Sequence, residues 1–211
     1  MQVQTFVFNM VAVNTYLLYD ETHEAVIIDC GASNLQEQQL LSAQIRNKKL
    51  TLRYLLNTHL HFDHTLGNRF IFNTFGLKPR YHRAEDAMPD TTAQVRAFGI
   101  PINEASVKAD EYLNEGDIVR FGNTELQTLF TPGHSPGGLS FYCPQAQCVF
   151  TGDSLFRFDI GRTDLWEGDE STLIASIRNK LLTLPDATTV YPGHGRESSI
   201  HDEKLHNPYI N

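Results

Sequence analysis

The segment Thr58-His59-Leu60-His61-Phe62-Asp63-His64 places four potential metal ligands within six residues. His59 and His61 are two apart, so on an extended segment their side chains point the same way. Asp63 and His64 open what reads as a helix and can turn toward the same space. Four ligands packed so tightly crowd a single cation, and two cations sharing the cluster relieve the crowding. A lone histidine in a polar loop is usually a surface or hydrogen-bonded residue. Four donors together in this order lift the reading above that, provided that the rest of the chain supplies the context.

Three further turns supply it. Thr131-Pro132-Gly133-His134-Ser135-Pro136-Gly137-Gly138, Phe150-Thr151-Gly152-Asp153-Ser154 and Tyr191-Pro192-Gly193-His194-Gly195 each follow a strand-like run and set a glycine directly before a ligand type. Glycine there lets the backbone turn sharply and lets neighbours approach. Taken singly, each is an ordinary turn. Together with the first cluster they give one donor set: His59, His61, Asp63, His64, His134, Asp153 and His194. Histidine and carboxylate donors without cysteine suit zinc, iron or manganese. The other histidines, His23, His82, His201 and His206, lie outside these motifs and read as structural or surface residues.

A rigid scaffold must hold seven donors drawn from four places in the chain. Val3 to Phe8, Asn14 to Tyr19 and Ala25 to Ile28 read as strands, followed by a helix over Ser33 to Lys48 with Leu35, Leu40, Leu41 and Ile45 on one face. Ser33 or Asn34 can cap it. A strand over Tyr54 to Thr58 ends at His59, and Asp63 to Phe75 reads as a helix closed by Gly76. Arg80 to His82 reads as a strand and Ala84 to Phe98 as partly helical. In the second half, Asp117 to Arg120 and Glu125 to Phe130 flank the hairpin turn Gly122-Asn123. Leu139 to Cys143 and Gln147 to Thr151 form another hairpin, in which Cys143 and Cys148 can face each other. Ser171 to Leu184 reads as a helix and Thr188 to Tyr191 as a last strand. Strands in runs, with helices between the runs, suit an α+β fold of two mostly antiparallel sheets packed face to face.

The chain has 211 residues, 41% of them hydrophobic and 20% charged, and a formal net charge of −8. That size suits one domain, over 1–211. No Lys/Arg stripe follows a phosphate backbone, so nucleic acid is excluded as a partner. The N-terminus has no signal-peptide pattern and no apolar stretch approaches the roughly 20 residues that span a bilayer. A cytoplasmic protein without membrane partners is expected. Three cysteines are too few for a disulfide framework.

These motifs resemble the metallo-β-lactamase superfamily, and within it the glyoxalase II-like hydrolases of the short, single-domain form. The resemblance rests on Thr58 to His64, Gly133-His134, Gly152-Asp153, Gly193-His194, the segment Ile160-Gly161-Arg162-Thr163-Asp164 and the tail Asn207-Pro208-Tyr209-Ile210. It implies an αββα sandwich. It also implies that His59, His61 and His134 hold one metal, that Asp63, His64 and His194 hold a second, and that Asp153 bridges them. True β-lactamases of the superfamily typically replace the last histidine of the first motif, and His64 favours the dinuclear hydrolase branch.

Two cations about 3.5–4 Å apart, zinc being favoured, share a hydroxide that exists at neutral pH and attacks a carbonyl carbon. The developing oxyanion is stabilised by a metal, a thiolate leaving group suits one, and Asp63 and Asp153 count as catalytic carboxylates as well as ligands. The expected activity is thioester hydrolysis on a small-molecule substrate, with esters or lactones as an alternative. Glutathione as the thiol is not expected to be required. Only 17 residues follow His194, which leaves no helical domain to grip it, and Gly195-Arg196 stands where glutathione-using members place an acidic residue and then Tyr. The rival activity is that of the persulfide dioxygenases, with one iron on His59, His134 and Asp153. Arg162 and Asp164 read as an ion pair fixing the loop after Asp153. Tyr142, Phe156, Phe158 and Trp166 are candidates for a substrate mouth, although aromatic residues are more often core.

Overall fold

The computed structural model describes residues 1–88, 95 and 107–210. One sheet runs in the order β1 (Gln2–Phe8), β2 (Val13–Tyr19), β3 (Glu24–Ile28), β4 (Thr51–Leu56), β5 (Pro79–Arg80). The second contains β6 (Ile118–Phe121), β7 (Thr124–Phe130), β8 (Leu139–Cys143), β9 (Cys148–Gly152), β12 (Thr189–Pro192) and β13 (Ser198–Ser199), in the order 13-12-9-8-7-6. A short ribbon, β10 (Leu155–Phe156) with β11 (Asp159–Ile160), lies between β9 and β12 in sequence.

Neighbouring strands are antiparallel except at β3–β4, β4–β5 and β9–β12. A parallel join needs a crossover, and helices occupy all three. Helix α1 (Leu35–Asn47) joins β3 to β4, α2 (Phe62–Thr65) and α3 (Asn68–Phe75) lie between β4 and β5, and α4 (Glu170–Ser176) lies between β9 and β12. A last helix, α5 (Ile200–His206), follows β13.

Strand alternation sorts the side chains into three apolar layers. Tyr16, Leu18, Val26, Ile28 and Leu56 of the first sheet pack between the sheets against Phe121, Leu126, Leu139, Phe141 and Phe150 of the second. Their sequence neighbours Leu17, Ala25, Ile27 and Leu55 face outward, onto Leu41 and Ile45 of α1 and Ile71 of α3. On the far side, Tyr142, Val149 and Val190 meet Leu173 of α4 and Ile177 and Leu181 just beyond it. Strands buried on both faces explain the near-continuous apolar runs in the sequence.

Four sequence expectations need adjustment. Of the four residues expected on one face of α1 only Leu41 and Ile45 are buried, whereas Leu35 and Leu40 are 68% and 48% exposed. Of the two expected cap candidates it is Asn34 that caps the helix, accepting from the Glu37 N–H. The helix expected over Asp63 to Phe75 is broken at Leu66-Gly67, because Gly67 abuts strand-end residues. Its N–H donates to the Cys30 carbonyl, and a Cβ there would sit 2.4 Å from Cys30 Sγ. The helix expected over Ser171 to Leu184 starts one residue earlier, after the cap Asp169, and widens to π spacing over Ile177–Leu181. Arg83–Ala87 forms a 3₁₀ turn. The remainder of the segment expected to be partly helical, up to Phe98, lies largely outside the described residues. Cys143 and Cys148 do pair in register across the β8–β9 hairpin, and all three cysteines are buried free thiols.

Candidate metal centre

The donors sit where strands end. β4 runs into Asn57-Thr58-His59, the short helix α2 carries Asp63 and His64 in its single turn, the β7–β8 loop carries His134, and Asp153 and His194 follow β9 and β12. All seven expected residues converge. Ligand atoms of His59, His61 and His134 lie within 4.8 Å of one another, as do those of Asp63, His64 and His194, and those of His59, His64 and Asp153. The Asp153 carboxylate stands between the first two groups. It is 3.6 Å from His134 Nε2 on one side, and 3.3 Å from His64 Nε2 and 3.7 Å from His194 Nε2 on the other. Asp63 Oδ2 is 3.1 Å from His194 Nε2 and 3.5 Å from His64 Nε2.

Two glycines make this convergence possible. Gly152 takes φ +50°, a conformation that L side chains rarely adopt. A Cβ on Gly193 would lie 2.1 Å from Asp153 Oδ1 and 2.8 Å from His64 Cε1.

The donor set fits cations on a structural observation. Four histidines have Nδ1 engaged outside the cluster, which leaves Nε2 pointing in. His59 Nδ1 meets Thr58 Oγ1 at 3.0 Å, His64 Nδ1 meets Asp29 Oδ2 at 3.0 Å, His134 Nδ1 meets the Arg162 carbonyl at 2.7 Å, and His194 Nδ1 meets the Val11 carbonyl at 3.1 Å. His59 Nε2, His64 Nε2 and Asp153 Oδ1 are fully buried and have no hydrogen-bond partner in the protein. Buried polar atoms are almost always satisfied, and three left without a hydrogen bond in one ligand group, with His64 Nε2 3.3 Å from Asp153 Oδ1, fit a bound cation. His61 alone turns Nδ1 inward, 2.8 Å from His134 Nε2.

The electrostatics agree. Burial, reinforced by the imidazoles of His64 and His61, drives His59 well below its ordinary value, so it is a neutral lone-pair donor. Burial and His134 push His61 down to about 4. Burial also disfavours charge on His64, but Asp153, Asp63 and Asp29 outweigh it and hold that imidazole well above its usual value. Without a cation, a proton on His64 offsets part of the charge of these carboxylates; a bound metal would replace it.

Sequence reasoning missed the residue that organises much of this. Asp29, 2% exposed, directly follows β3 in the left-handed region at φ +53°. It takes the His64 Nδ1 contact on Oδ2, where it also accepts from Thr58 Oγ1 at 2.7 Å, and it accepts from the Thr58 N–H on Oδ1 at 2.8 Å. Through Thr58 it reaches His59 as well. The available signal was the polar break Asp29-Cys30-Gly31 after an apolar strand, the same strand-to-ligand grammar as elsewhere in the chain.

Other expected residues sort as follows. Arg162 and Asp164 form a bidentate pair at 2.7 and 2.8 Å, with both side chains exposed, and the contribution of Arg162 to the site is its carbonyl. Phe156 alone of the four aromatic candidates is seen against a ligand, its ring 6.3 Å from that of His194. Tyr142 is buried in the outer core, Phe158 packs on His206, and Trp166 is exposed. His23, His201 and His206 are surface residues, and His82 caps the 3₁₀ turn.

His59→Ala is expected to remove at least one cation per chain and to cut turnover about a thousandfold. That is the effect of losing several kcal/mol of Lewis-acid stabilisation. Elemental analysis alongside kcat tests it, and full metal content with near-parental turnover would remove His59 from the site.

The metallo-beta-lactamase superfamily model matches residues 9–194. A probable metallo-hydrolase of Bacillus subtilis is 37% identical over 94% of this chain and 92% of its own length. A hydroxyacylglutathione hydrolase of Haemophilus influenzae is 36% identical over 94% and 92%. A mitochondrial persulfide dioxygenase of Mus musculus is 32% identical over 93% of this chain and 70% of its own. Among solved structures, a B3 metallo-beta-lactamase superposes with a TM-score of 0.88 at 35% identity, covering 100% of both chains. A di-iron-bound protein superposes at 0.85 and 33% identity, covering 98% and 100%. The hydroxyacylglutathione hydrolase, covered over 92% of its length, is in keeping with the short, single-domain glyoxalase II-like form. Two sheets with helices outside, ligands on strand ends and a family match spanning every donor lead to one assignment: the chain belongs to the metallo-beta-lactamase superfamily.

Proposed function

We propose that the protein is a dinuclear metal-dependent hydrolase, with zinc as the favoured metal, that cleaves thioesters of small molecules. The observation that carries the reading is the pair of three-ligand groups with the Asp153 carboxylate between them, in a cluster where His59 Nε2 and His64 Nε2 are buried without a hydrogen-bond partner. A pair of divalent cations supplies water ionised near neutral pH and a Lewis acid for a carbonyl oxygen. His59, His61 and His134 would hold one cation, Asp63, His64 and His194 the other, and Asp153, which stands between the two groups, would serve both. Thr58, Asp29 and the Arg162 and Val11 carbonyls fix the ring orientations. Asp63 and Asp153 are the only carboxylates among the seven donors and would be the catalytic carboxylates. In the reaction, water oxygen bonds to the acyl carbon, the C–S bond breaks, and the products are a carboxylic acid and a thiol.

The similarity to a hydroxyacylglutathione hydrolase of nearly the same length supports the thioester assignment and shows that a chain of this size can bear that name. The expectation drawn from a missing helical domain therefore carries no weight. Gly195-Arg196 still supports breadth in the thiol half. No helix among the described residues is long and apolar enough to cross a membrane.

A second reading, persulfide oxidation at one iron on His59, His134 and Asp153, is favoured by the similarity to the mouse dioxygenase. One panel separates the readings: kcat/KM for S-lactoylglutathione, for thioesters of small thiols, for an ester, a lactone and a β-lactam, together with oxygen uptake on a glutathione persulfide. Thioesters are expected to lead, with the glutathione thioester within a hundredfold of small-thiol ones, a margin of about 2.7 kcal/mol. Oxygen uptake with about one iron per chain would overturn the hydrolase reading. Turnover confined to the β-lactam would move it to that branch.

A further inference from the structure

We propose that Glu85 is a positioning residue for the first half-site, clipping the loop that carries His59 and His61 to the loop that carries His134. Glu85 lies on the 3₁₀ turn Arg83–Ala87, is 1% exposed and is used by no step above. Its Oε2 accepts from the Leu60 N–H at 2.8 Å and its Oε1 from the Gly137 N–H at 2.6 Å. Leu60 stands between His59 and His61, and Gly137 follows His134 by three residues. The two loops leave different sheets, the first after β4 and the second between β7 and β8. One carboxylate therefore spans the seam between the sheets at the level of the ligands. The turn beneath it is fixed by its own backbone bonds, Glu85 N–H to the His82 carbonyl at 3.0 Å and Met88 N–H to the Glu85 carbonyl at 3.0 Å.

A carboxylate so buried is costly unless its lone pairs are met. Here both oxygens are met by main-chain donors of ligand-bearing loops, so the group that is costly to bury is the one that sets the spacing of the donors. The second half-site has a different support. Asp63 and His64 sit on α2, and His194 is held from the β1–β2 side, where the Asn14 N–H donates to the Gly193 carbonyl at 2.7 Å and the Tyr16 hydroxyl to the Pro192 carbonyl at 2.6 Å. Loss of Glu85 should therefore loosen one half-site and spare the other.

Glu85→Gln keeps the shape but replaces one acceptor oxygen with an NH₂ group, which faces a main-chain N–H donor to donor. Outer supports of metal ligands are typically worth 10–100-fold in affinity. The inference rests on the ligand assignment proposed above, and the test separates the two. The probe is Co²⁺ alone, titrated into metal-free protein and followed by its visible d–d bands, with no substrate present. His194→Ala disables the second half-site and His134→Ala the first, so each background reports the other half. Adding Glu85→Gln is expected to weaken Co²⁺ binding at least tenfold in the His194→Ala background and less than threefold in the His134→Ala background. Equal weakening in both, as a general loss of stability would give, or no weakening in either, overturns the proposal. A parent that takes up fewer than two Co²⁺ ions overturns the ligand assignment and the proposal with it. If Glu85→Gln does not fold, Gly137→Ala carries the same test, since a Cβ there would lie 2.7 Å from Glu85 Cγ and 2.8 Å from Oε1.

Discussion

Asp153→Asn is expected to reduce bound metal from about two ions per chain to one or none and to lower hydrolysis by three orders of magnitude or more. The side chain faces His134 from one ligand group and His64 and His194 from the other, and it is 12% exposed. At that depth a pair of unit charges 4 Å apart is worth about 4 kcal/mol for an effective dielectric near 20. Two dications lose that attraction together, and their mutual repulsion is then less screened. Losing a neutral ligand carries no such penalty, so His194→Ala should lose less affinity than Asp153→Asn. Without metal, the imidazoles of His64, His134 and His194 hold the Asp153 carboxyl below its usual range against the opposing effect of burial. The same site that stabilises its charge is the one that would turn it toward two cations. Calorimetric titration of the metal-free variants with Zn²⁺ decides the matter. Two ions bound as tightly as in the parent would mean that Asp153 does not stand between them.

Legibility in the sequence followed how local the cause was. His59, His61, Asp63 and His64 were readable because one strand end and one helical turn place them, and both periodicities can be seen in six residues. His134, Asp153 and His194 were readable because each is announced by a glycine whose reason is backbone geometry. The strand layers were readable from alternation, as at Tyr16, Leu17 and Leu18, which face different layers in turn. What escaped depends on distant partners. Gly67 ends a helix because of Cys30, not because of anything in its own turn. Leu35 and Leu40 fit an apolar stripe by period, but the sheet covers only the part of α1 that carries Leu41 and Ile45. Asp29 and Glu85 escaped for the same reason: each is separated by more than twenty residues from the loop it holds, and an isolated acidic residue in a sequence carries no mark of burial.

Asp29→Asn should weaken metal binding by about 10²–10⁴, more than the 10–100-fold typical of a single outer support, because Asp29 supports two ligands. The change is isosteric, and Asn tolerates the left-handed backbone at φ +53° as Asp does, so strain does not enter. What changes is the count of acceptors. Oδ1 meets the Thr58 N–H at 2.8 Å, while Oδ2 meets Thr58 Oγ1 at 2.7 Å and His64 Nδ1 at 3.0 Å. An amide offers one oxygen for these two positions. If its NH₂ replaces Oδ2, it presents a donor to His64 Nδ1. The imidazole must then carry its proton on Nε2, the atom aimed at the metal, and a protonated nitrogen is no ligand. The Thr58 hydroxyl loses its acceptor in the same step and with it the orientation that holds His59 Nδ1. If the NH₂ replaces Oδ1 instead, it opposes the Thr58 N–H and displaces the backbone immediately before His59. Either orientation damages the site, and the first damages both half-sites at once. Asp29→Ala, which removes every acceptor and adds backbone strain, should be worse still and should also lower Tm. The discriminating readout is histidine nitrogen NMR of the metal-free protein: His64, held protonated in the parent by Asp153, Asp63 and Asp29, should lose its Nδ1 proton in Asp29→Asn. Unchanged protonation of His64 Nδ1 with parental Zn²⁺ affinity would mean that Asp29 is scaffold only.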